Sequence, residues 1–144
     1  MSHFRLIPFE PEHVKMIEVA SEPWLGTGDD LYQYAQNCMS GPAWTALSDD
    51  GIVGCAGVRI LWEGTGEAWA LFSPLLWKYR LSVQKAVLKG LDLIEEKYRL
   101  QRIQAAVDES HERALQWAYS LGFEEEGLMM RYYNGRHFWM VSRI

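Results

Sequence analysis

Residues 102–123 read RIQAAVDESHERALQWAYSLGF, and this stretch decides the fold. Its first part, Ile103 to Val107, is a short apolar run typical of a buried strand, and it ends in acidic and polar residues. Ser110 then offers a natural N-cap, and Gly122 suits the position just after a helix. Apolar residues between them recur at spacings of three and four, at Ala114, Leu115, Trp117, Ala118 and Leu121. The stretch therefore predicts a strand that feeds a helix packed back on a sheet.

The flanking sequence supplies the remaining strands and helices. Alternating or apolar runs bounded by turn residues predict strands over Phe4–Pro8, Ala43–Leu47, Ile52–Leu61, Glu67–Phe72, Glu124–Tyr133 and Arg136–Ser142. The last two flank Asn134-Gly135, a strong signal for a tight hairpin. Helical spacing predicts further helices after Pro11, from Asp29 or Asp30 to Gly41-Pro42, and from Ser82 to about Tyr98. We therefore expect a single α/β domain over residues 1–144, with about seven strands and about four helices.

Several positions carry more local expectations. In the helix after Pro11, of roughly three turns, we expect Val14, Met16 and Ile17 to face inward. Gly54 and Gly57 weaken their strand and indicate a bulge or a close backbone approach. Gly90 in the interior of the long helix suggests close packing, because glycine there costs about 1 kcal/mol relative to alanine.

Composition narrows the classes of function. The chain has 144 residues and a net charge of −5, with 14 scattered basic residues, which argues against nucleic-acid binding. Cys38 and Cys55 have no paired spacing and are best interpreted as reduced core residues. No apolar run approaches the ~18 residues of a membrane span, and no cationic leader precedes an apolar run, so we expect a soluble cytoplasmic protein. No metal site is predicted, because no Cys, Asp or Glu lies at metal-ligand spacing from His3, His13 or His137.

The segment HERALQWAYSLGF resembles the C-terminal signature of the GCN5-related N-acetyltransferases (GNAT). His111 stands where that family has an Asn that opens the helix, and Ala114 stands at the family's Ala. Leu121, Gly122 and Phe123 match its closing Leu-Gly-Phe. An ordinary amphipathic helix ended by glycine would also account for these residues, but the order of strands and helices is the family's as well. The resemblance implies a mixed, mostly antiparallel twisted sheet of about seven strands with helices on both faces. It also implies acetyl-CoA-dependent transfer to the amine of a small molecule or protein, by direct attack in a ternary complex.

The family's pyrophosphate loop, Arg/Gln-x-x-Gly-x-Gly/Ala, is altered in this chain. Taking Pro74 as the family's proline, Lys78 and Arg80 occupy glycine-type positions and Ser82 stands for the last small residue. The two cations could bind phosphate directly, could fill the groove and exclude the cofactor, or could be solvated loop residues. The positions that the resemblance assigns to acetyl-CoA are Leu71, Phe72, Ser73, Lys78, Tyr79, Arg80, Leu81, Ser82, His111 and Ala114.

Acetyl transfer also needs a base for the amine and an acid for the leaving thiolate. The resemblance favours Glu67 as the base, with Glu63 and Asp108 as weaker candidates, although Glu67 could equally end a hairpin in solvent. In the family, a tyrosine that acts as the acid stands where this chain has Ala118. The neighbouring Tyr119 lies about 100 degrees around the helix from that position. Tyr119 is therefore a candidate acid only if the helix is rotated, and otherwise a packing residue. A catalytic His111 is disfavoured because the positive end of the helix dipole opposes its protonation.

A looser resemblance links the C-terminal half to tailed-phage internal virion or morphogenesis proteins with a degenerate fold of this kind. It rests on Ser73, Trp77 and the run Arg80-Leu81-Ser82. It implies a non-catalytic assembly protein of phage or prophage origin with a phage or host partner, and a homodimer is also open. An enzyme predicts an open V between the fourth and fifth strands. An assembly protein predicts a groove filled by Trp77 or Arg80 and an exposed apolar patch.

Overall fold

The computed structural model describes residues 3–16 and 29–144 of the chain. In chain order these form β1 (Phe4–Pro8), a 3₁₀ helix (Pro11–Met16), α1 (Asp29–Asn37), β2 (Ala43–Ser48), β3 (Gly51–Trp62), β4 (Thr65–Phe72), α2 (Leu76–Tyr98), β5 (Arg102–Asp108), α3 (Glu112–Ser120), β6 (Glu124–Tyr133) and β7 (Arg136–Arg143). Every strand predicted from the sequence is present, with bounds that differ by only a few residues.

The strands form one sheet in the order β1-β2-β3-β4-β5-β7-β6. All neighbours are antiparallel except β4 and β5, which run parallel. Parallel neighbours need a crossover connection, and α2 provides it. The mixed, mostly antiparallel α/β fold is therefore confirmed, and its one parallel pair lies at the centre of the sheet.

Helices cover both faces of the sheet. The 3₁₀ helix and α1 pack on one face, which we call the α1 face; its buried side chains are Phe9, Val14, Ala35, Cys38, Cys55, Trp69 and Leu71. On the other face α2 and α3 pack against residues that include Val58, Ile103 and Val141. Both thiols are free and buried. Burial raises the pKa of Cys38 to about 12 and that of Cys55 to about 11, as expected for reduced core cysteines.

The segment after Pro11 differs from the prediction. It forms a 3₁₀ helix rather than an α-helix, and although Val14 is buried, Met16 is 71% exposed. A 3₁₀ helix has three residues per turn, so Met16 does not share the inward side of Val14. Ile17 lies outside the described residues.

The predictions for the three glycines have different outcomes. A Cβ on Gly54 would lie 2.3 Å from Cδ1 of Phe72, and one on Gly57 would lie 2.4 Å from the Pro42 carbonyl oxygen. Both glycines therefore permit close approach, as predicted. The expectation for Gly90 was wrong, because a Cβ there would meet nothing within 4 Å.

Helix α2 begins earlier than Ser82. Its first turn starts at Leu76, and Tyr79, with φ −108° and ψ 16°, interrupts the helix before it continues to Tyr98. The apolar spacing predicts a helix only from Ser82, because the turn that precedes the amphipathic part is short and of 3₁₀ type. Part of the predicted cofactor loop is therefore helical.

Candidate functional site

Strands β4 and β5 separate partway along their length. They pair only at Thr65 with Arg102, Gly66 with Ile103, and Glu67 with Gln104. Beyond these pairs β4 continues to Phe72 and β5 to Asp108. The ladder thus opens into a V, which we call the cleft, and Glu67 lies at its fork.

Beyond Glu67, backbone groups of β4 have no β5 partner in the described part of the chain. The Ser73 N–H donates to the Val53 carbonyl at 2.9 Å, on the β3 side. Backbone groups alternate in direction along a strand, so those of Ala68, Ala70 and Phe72 point to the β5 side. No described strand pairs with them there. These groups form a ladder edge that an extended ligand can complete.

Glu67 is buried at the fork, with 9% of its surface exposed. Its carboxylate forms an ion pair with Arg59 of β3. The guanidinium pKa of Arg59 is lowered by burial, but the hydrogen bond and the charge of Glu67 raise it more, so that the net change is upward. Because side chains alternate along β4, Glu67 shares the α1 face with Trp69 and Leu71. Glu67 does not end a hairpin in solvent.

Tyr132 of β6, which is 47% exposed, is a further polar group within electrostatic range of this pair. Burial raises its pKa, the charge of Glu67 adds to the increase, and Arg59 opposes it. The Tyr132 ring packs 5.3 Å from the Phe138 ring, and the preceding Arg131 has a φ of +51°. Arg131 falls within the irregular part of β6 where the β6–β7 register shifts, between Met129 and Tyr133. The sequence carried no signal that placed this tyrosine in electrostatic range of Glu67.

Tyr119 lies in different surroundings. Its hydroxyl donates to Glu125 at the start of β6, and this hydrogen bond raises the Tyr119 pKa. Among the described residues no contact joins Tyr119 to Glu67. The structure therefore does not bring the two predicted catalytic side chains together, and the role of Tyr119 remains a prediction.

The two weaker base candidates also have distinct positions. Glu63 is exposed in the β3–β4 turn. Asp108 is buried at the end of β5. Its carboxylate accepts hydrogen bonds from the Ser110 N–H at 2.8 Å, from the Ser110 hydroxyl at 2.6 Å and from Arg136 Nε at 2.6 Å. Burial would raise the pKa of Asp108, but the hydrogen bonds from Arg136 and Ser110 outweigh it and lower it to about 2. Such a carboxylate is a poor base at neutral pH.

His111 is the N-cap of α3. Its Nδ1 accepts from the Ala114 N–H at 3.1 Å. The prediction that Ser110 caps this helix was wrong, because the Ser110 hydroxyl donates to Asp108 instead. His111 thus takes the structural place of a capping asparagine, while Gly122, with a φ of +93°, ends the helix as predicted.

The first turn of α2 uses its own backbone donors. The N–H groups of Leu76, Trp77 and Lys78 bond the carbonyls three residues earlier at 3.0, 3.3 and 3.1 Å. Lys78 Nζ and the Tyr79 hydroxyl each lie 2.7 Å from an Asp50 oxygen in the β2–β3 turn. That turn is on the β3 side, so both side chains are held away from the β5 side of the cleft.

Helices α2 and α3 also meet, at the first turn of each helix. Trp77 is 53% exposed, and the Arg113 guanidinium lies 4.7 Å above its ring. Deeper in, the Phe72 ring packs 5.4 Å from the Trp117 ring. Trp77 therefore lies at the surface and does not fill the cleft. Arg80 and Leu81 are exposed at the same end of α2.

Two other kinds of site receive no support from the described residues. None of the helices there is both long enough and apolar enough to cross a membrane. No group of three or more His, Cys, Asp or Glu side chains in residues 3–16 and 29–144 is arranged to hold a metal ion.

Comparison by sequence finds no family model that matches the chain and no similar curated protein. Solved structures are similar in fold. An acetyltransferase of the GNAT family from Bacillus anthracis superposes with a TM-score of 0.74 at 13% identity, covering 98% of this chain and 94% of that one. A spermidine N-acetyltransferase chimera of Vibrio cholerae SpeG and hSSAT gives 0.72 at 16% identity, covering 98% and 95%.

Both superpositions extend over almost the whole of this chain. At such low identity they speak for the fold alone. The resemblance to tailed-phage proteins finds no support in these comparisons. The chain has a GNAT-like fold.

Proposed function

We propose that the chain is an acetyl-CoA-dependent N-acetyltransferase that acts on an amine by direct transfer in a ternary complex. The observation that carries the proposal is the end of the β4–β5 ladder at Glu67 and Gln104. It leaves backbone donors and acceptors of Ala68, Ala70 and Phe72 in an open cleft. A ligand with amide groups spaced along an extended arm, as in pantetheine, complements such an edge.

The phosphates of acetyl-CoA require a different arrangement from the family's. The loop N–H groups at residues 76–78 are already bonded, and Lys78 is paired with Asp50. Apart from Lys78, the exposed cations nearest the starts of α2 and α3 are Arg80 and Arg113, and these would bind the phosphates by charge. Of the other predicted cofactor residues, Phe72 offers its backbone to the cleft. Leu71, Ser73, Tyr79 and Ala114 are committed to the core or to protein hydrogen bonds.

Within this proposal Glu67 handles the amine. It lies at the fork, where a group bound in the cleft meets one approaching from the α1 face. Its carboxylate would bind the ammonium and accept its proton, directly or through water, so that the amine nitrogen can attack the acetyl carbonyl. The new C–N bond forms as the C–S bond breaks, and the thiolate then takes a proton. Tyr132 is near Glu67 and is a candidate acid beside the sequence-based Tyr119.

Isothermal titration with acetyl-CoA tests the proposal. We expect micromolar binding that weakens about tenfold, equivalent to 1.4 kcal/mol, in Arg80→Ala and Arg113→Ala. Lys85→Ala is the control, because it removes the same charge from an exposed position further along α2. Absence of binding by folded wild-type protein would refute the proposal, and equal weakening in the Lys85 variant would refute the assigned phosphate contacts.

One observation favours a second candidate, a non-catalytic interaction protein. The edge strand β6 exposes several large apolar side chains, with Met130 at 66%. Exposed apolar groups on an edge strand fit a protein interface, including one between two copies of the chain. Size-exclusion chromatography with light scattering tests the homodimer, and a monomer at every concentration would exclude it.

A further inference from the structure

Trp69 of β4 carries a buried hydrogen-bond donor with no acceptor. The residue is 8% exposed, and within the described residues its indole Nε1–H has no partner. A buried donor left unpaired costs about 1–3 kcal/mol. Indole N–H groups normally find a partner when they are buried. This unpaired donor belongs to the β4 residue two positions beyond the fork, and it requires an acceptor that the described residues do not supply.

The same part of the α1 face holds a pair of opposite charges. Trp69 is two residues after Glu67 on β4, so both side chains point to this face. In the β3–β4 register Arg59 lies opposite Glu67, with which it forms an ion pair, and Gly57, two residues before Arg59, lies opposite Trp69. The donor, the guanidinium and the carboxylate therefore belong to one neighbourhood, which we call the Trp69 site.

The chemistry of the three groups defines the ligand. An indole N–H can only donate, and so can a guanidinium, so both require an oxygen acceptor. The carboxylate of Glu67 requires a cation or a donor. Building on the proposed function, we infer that the amine substrate is a zwitterion of the amino-acid class, whose ammonium binds Glu67 and whose carboxylate binds Arg59 and the Trp69 indole N–H.

The charge of the site separates this class from polyamines. Arg59 and Glu67 cancel, so the described part of the site is neutral and matches a neutral zwitterion. A polyamine such as spermidine, on which some structurally similar enzymes act, carries several positive charges and no acceptor for the indole. Arg59 would repel the polyamine, because a polyamine, unlike a zwitterion, has no carboxylate to pair with the guanidinium.

Nuclear magnetic resonance of the indole groups tests the inference without requiring turnover. The chain has seven tryptophans, and Trp69→Phe assigns the Trp69 signal in protein labelled with ¹⁵N on tryptophan. Each of the twenty amino acids is titrated into the protein, and so is the matching amine that lacks the carboxylate. Spermidine is titrated in the same way. We expect at least one amino acid to shift the Trp69 signal at a concentration about tenfold below that of its amine.

Variants of the cation provide the control. Arg59→Lys keeps the charge but not the planar fork and should weaken amino-acid binding about tenfold, whereas Arg5→Lys on the exposed part of β1 should not change it. A Trp69 signal that responds to no amino acid, or that responds to spermidine at the lower concentration, would overturn the inference. Acetyl-CoA is titrated separately. Binding of acetyl-CoA with a silent Trp69 refutes only the zwitterion, and no acetyl-CoA binding refutes the proposed function.

Discussion

Asp108→Asn tests how the end of β5 is held at the cleft. The Asp108 side chain is buried and accepts hydrogen bonds from the N–H and hydroxyl of Ser110 and from Arg136. Its own carbonyl accepts the His111 N–H at 2.9 Å, so it is joined by a backbone hydrogen bond to the N-cap of α3, three residues later in the chain. Asparagine keeps the shape but removes the charge and one of the two acceptor oxygens.

The magnitude follows from the pKa. Hydrogen bonds from Arg136 and Ser110 overcome the effect of burial and lower the pKa of Asp108 from 3.8 to about 2, and each unit corresponds to about 1.4 kcal/mol. Ionised Asp108 thus stabilises the fold by about 2 kcal/mol at neutral pH. Because the folded pKa is the lower one, this contribution is complete above the unfolded pKa and is lost as the pH falls toward 2. About half should be lost at pH 3.

Urea unfolding at pH 7 and pH 3 measures both effects. We expect Asp108→Asn to lower the free energy of unfolding by about 2–3 kcal/mol at pH 7, and the difference from wild type to shrink at pH 3. Glu109→Gln, an adjacent exposed carboxylate, should change it by less than about 0.5 kcal/mol. Equal effects of the two variants, or a difference that does not depend on pH, would refute the account of Asp108.

Three further changes test other parts of the structure. Gly90→Ala should raise the free energy of unfolding by about 0.5–1 kcal/mol, because its Cβ meets nothing within 4 Å; an unchanged urea midpoint would contradict this. His111→Ala should destabilise the fold by about 1 kcal/mol in thermal melts, whereas His111→Asn should keep the cap, so equal losses would argue against capping. In acetyl transfer to an accepted amine, Tyr132→Phe should lower kcat about tenfold or more, with Tyr119→Phe within about twofold; the reverse ranking would restore Tyr119 as the acid.

The fold was predictable because its strong signals are local. The Asn134-Gly135 hairpin, the spacing of apolar residues from Ala114 to Leu121 and the glycine at 122 each specify one structure over a short window. The start of α2 was not predictable because its first turn is of 3₁₀ type and precedes the amphipathic part. The cap of α3 was not predictable because two partners compete for Ser110. Ser110 has the better capping side chain, yet buried Asp108 engages it, and that burial arises only in the folded sheet.

The site was predictable only where a residue lies on a strand with a definite register. Glu67 was identified from the family resemblance, but the Arg59 beside it depends on the β3–β4 pairing of these two residues. Tyr132 reaches the same neighbourhood through a break in the β6–β7 register, and the sequence does not specify where such a break falls. The unpaired indole of Trp69 is a property of packing and cannot be inferred from tryptophan content.

The position of the fork explains why one residue could serve two ligands. The cleft presents backbone groups at Ala68, Ala70 and Phe72, while the side chains of Glu67 and Trp69 point to the α1 face. A ligand arm bound along the edge of β4 and a substrate bound on the α1 face would therefore meet next to Glu67, where the ladder ends. A shift of one residue in the β4 register would move Glu67 to the α2 side and turn the free backbone groups toward β3. The β3–β4 pairing that joins Arg59 to Glu67 is thus the feature on which both halves of the proposed site depend.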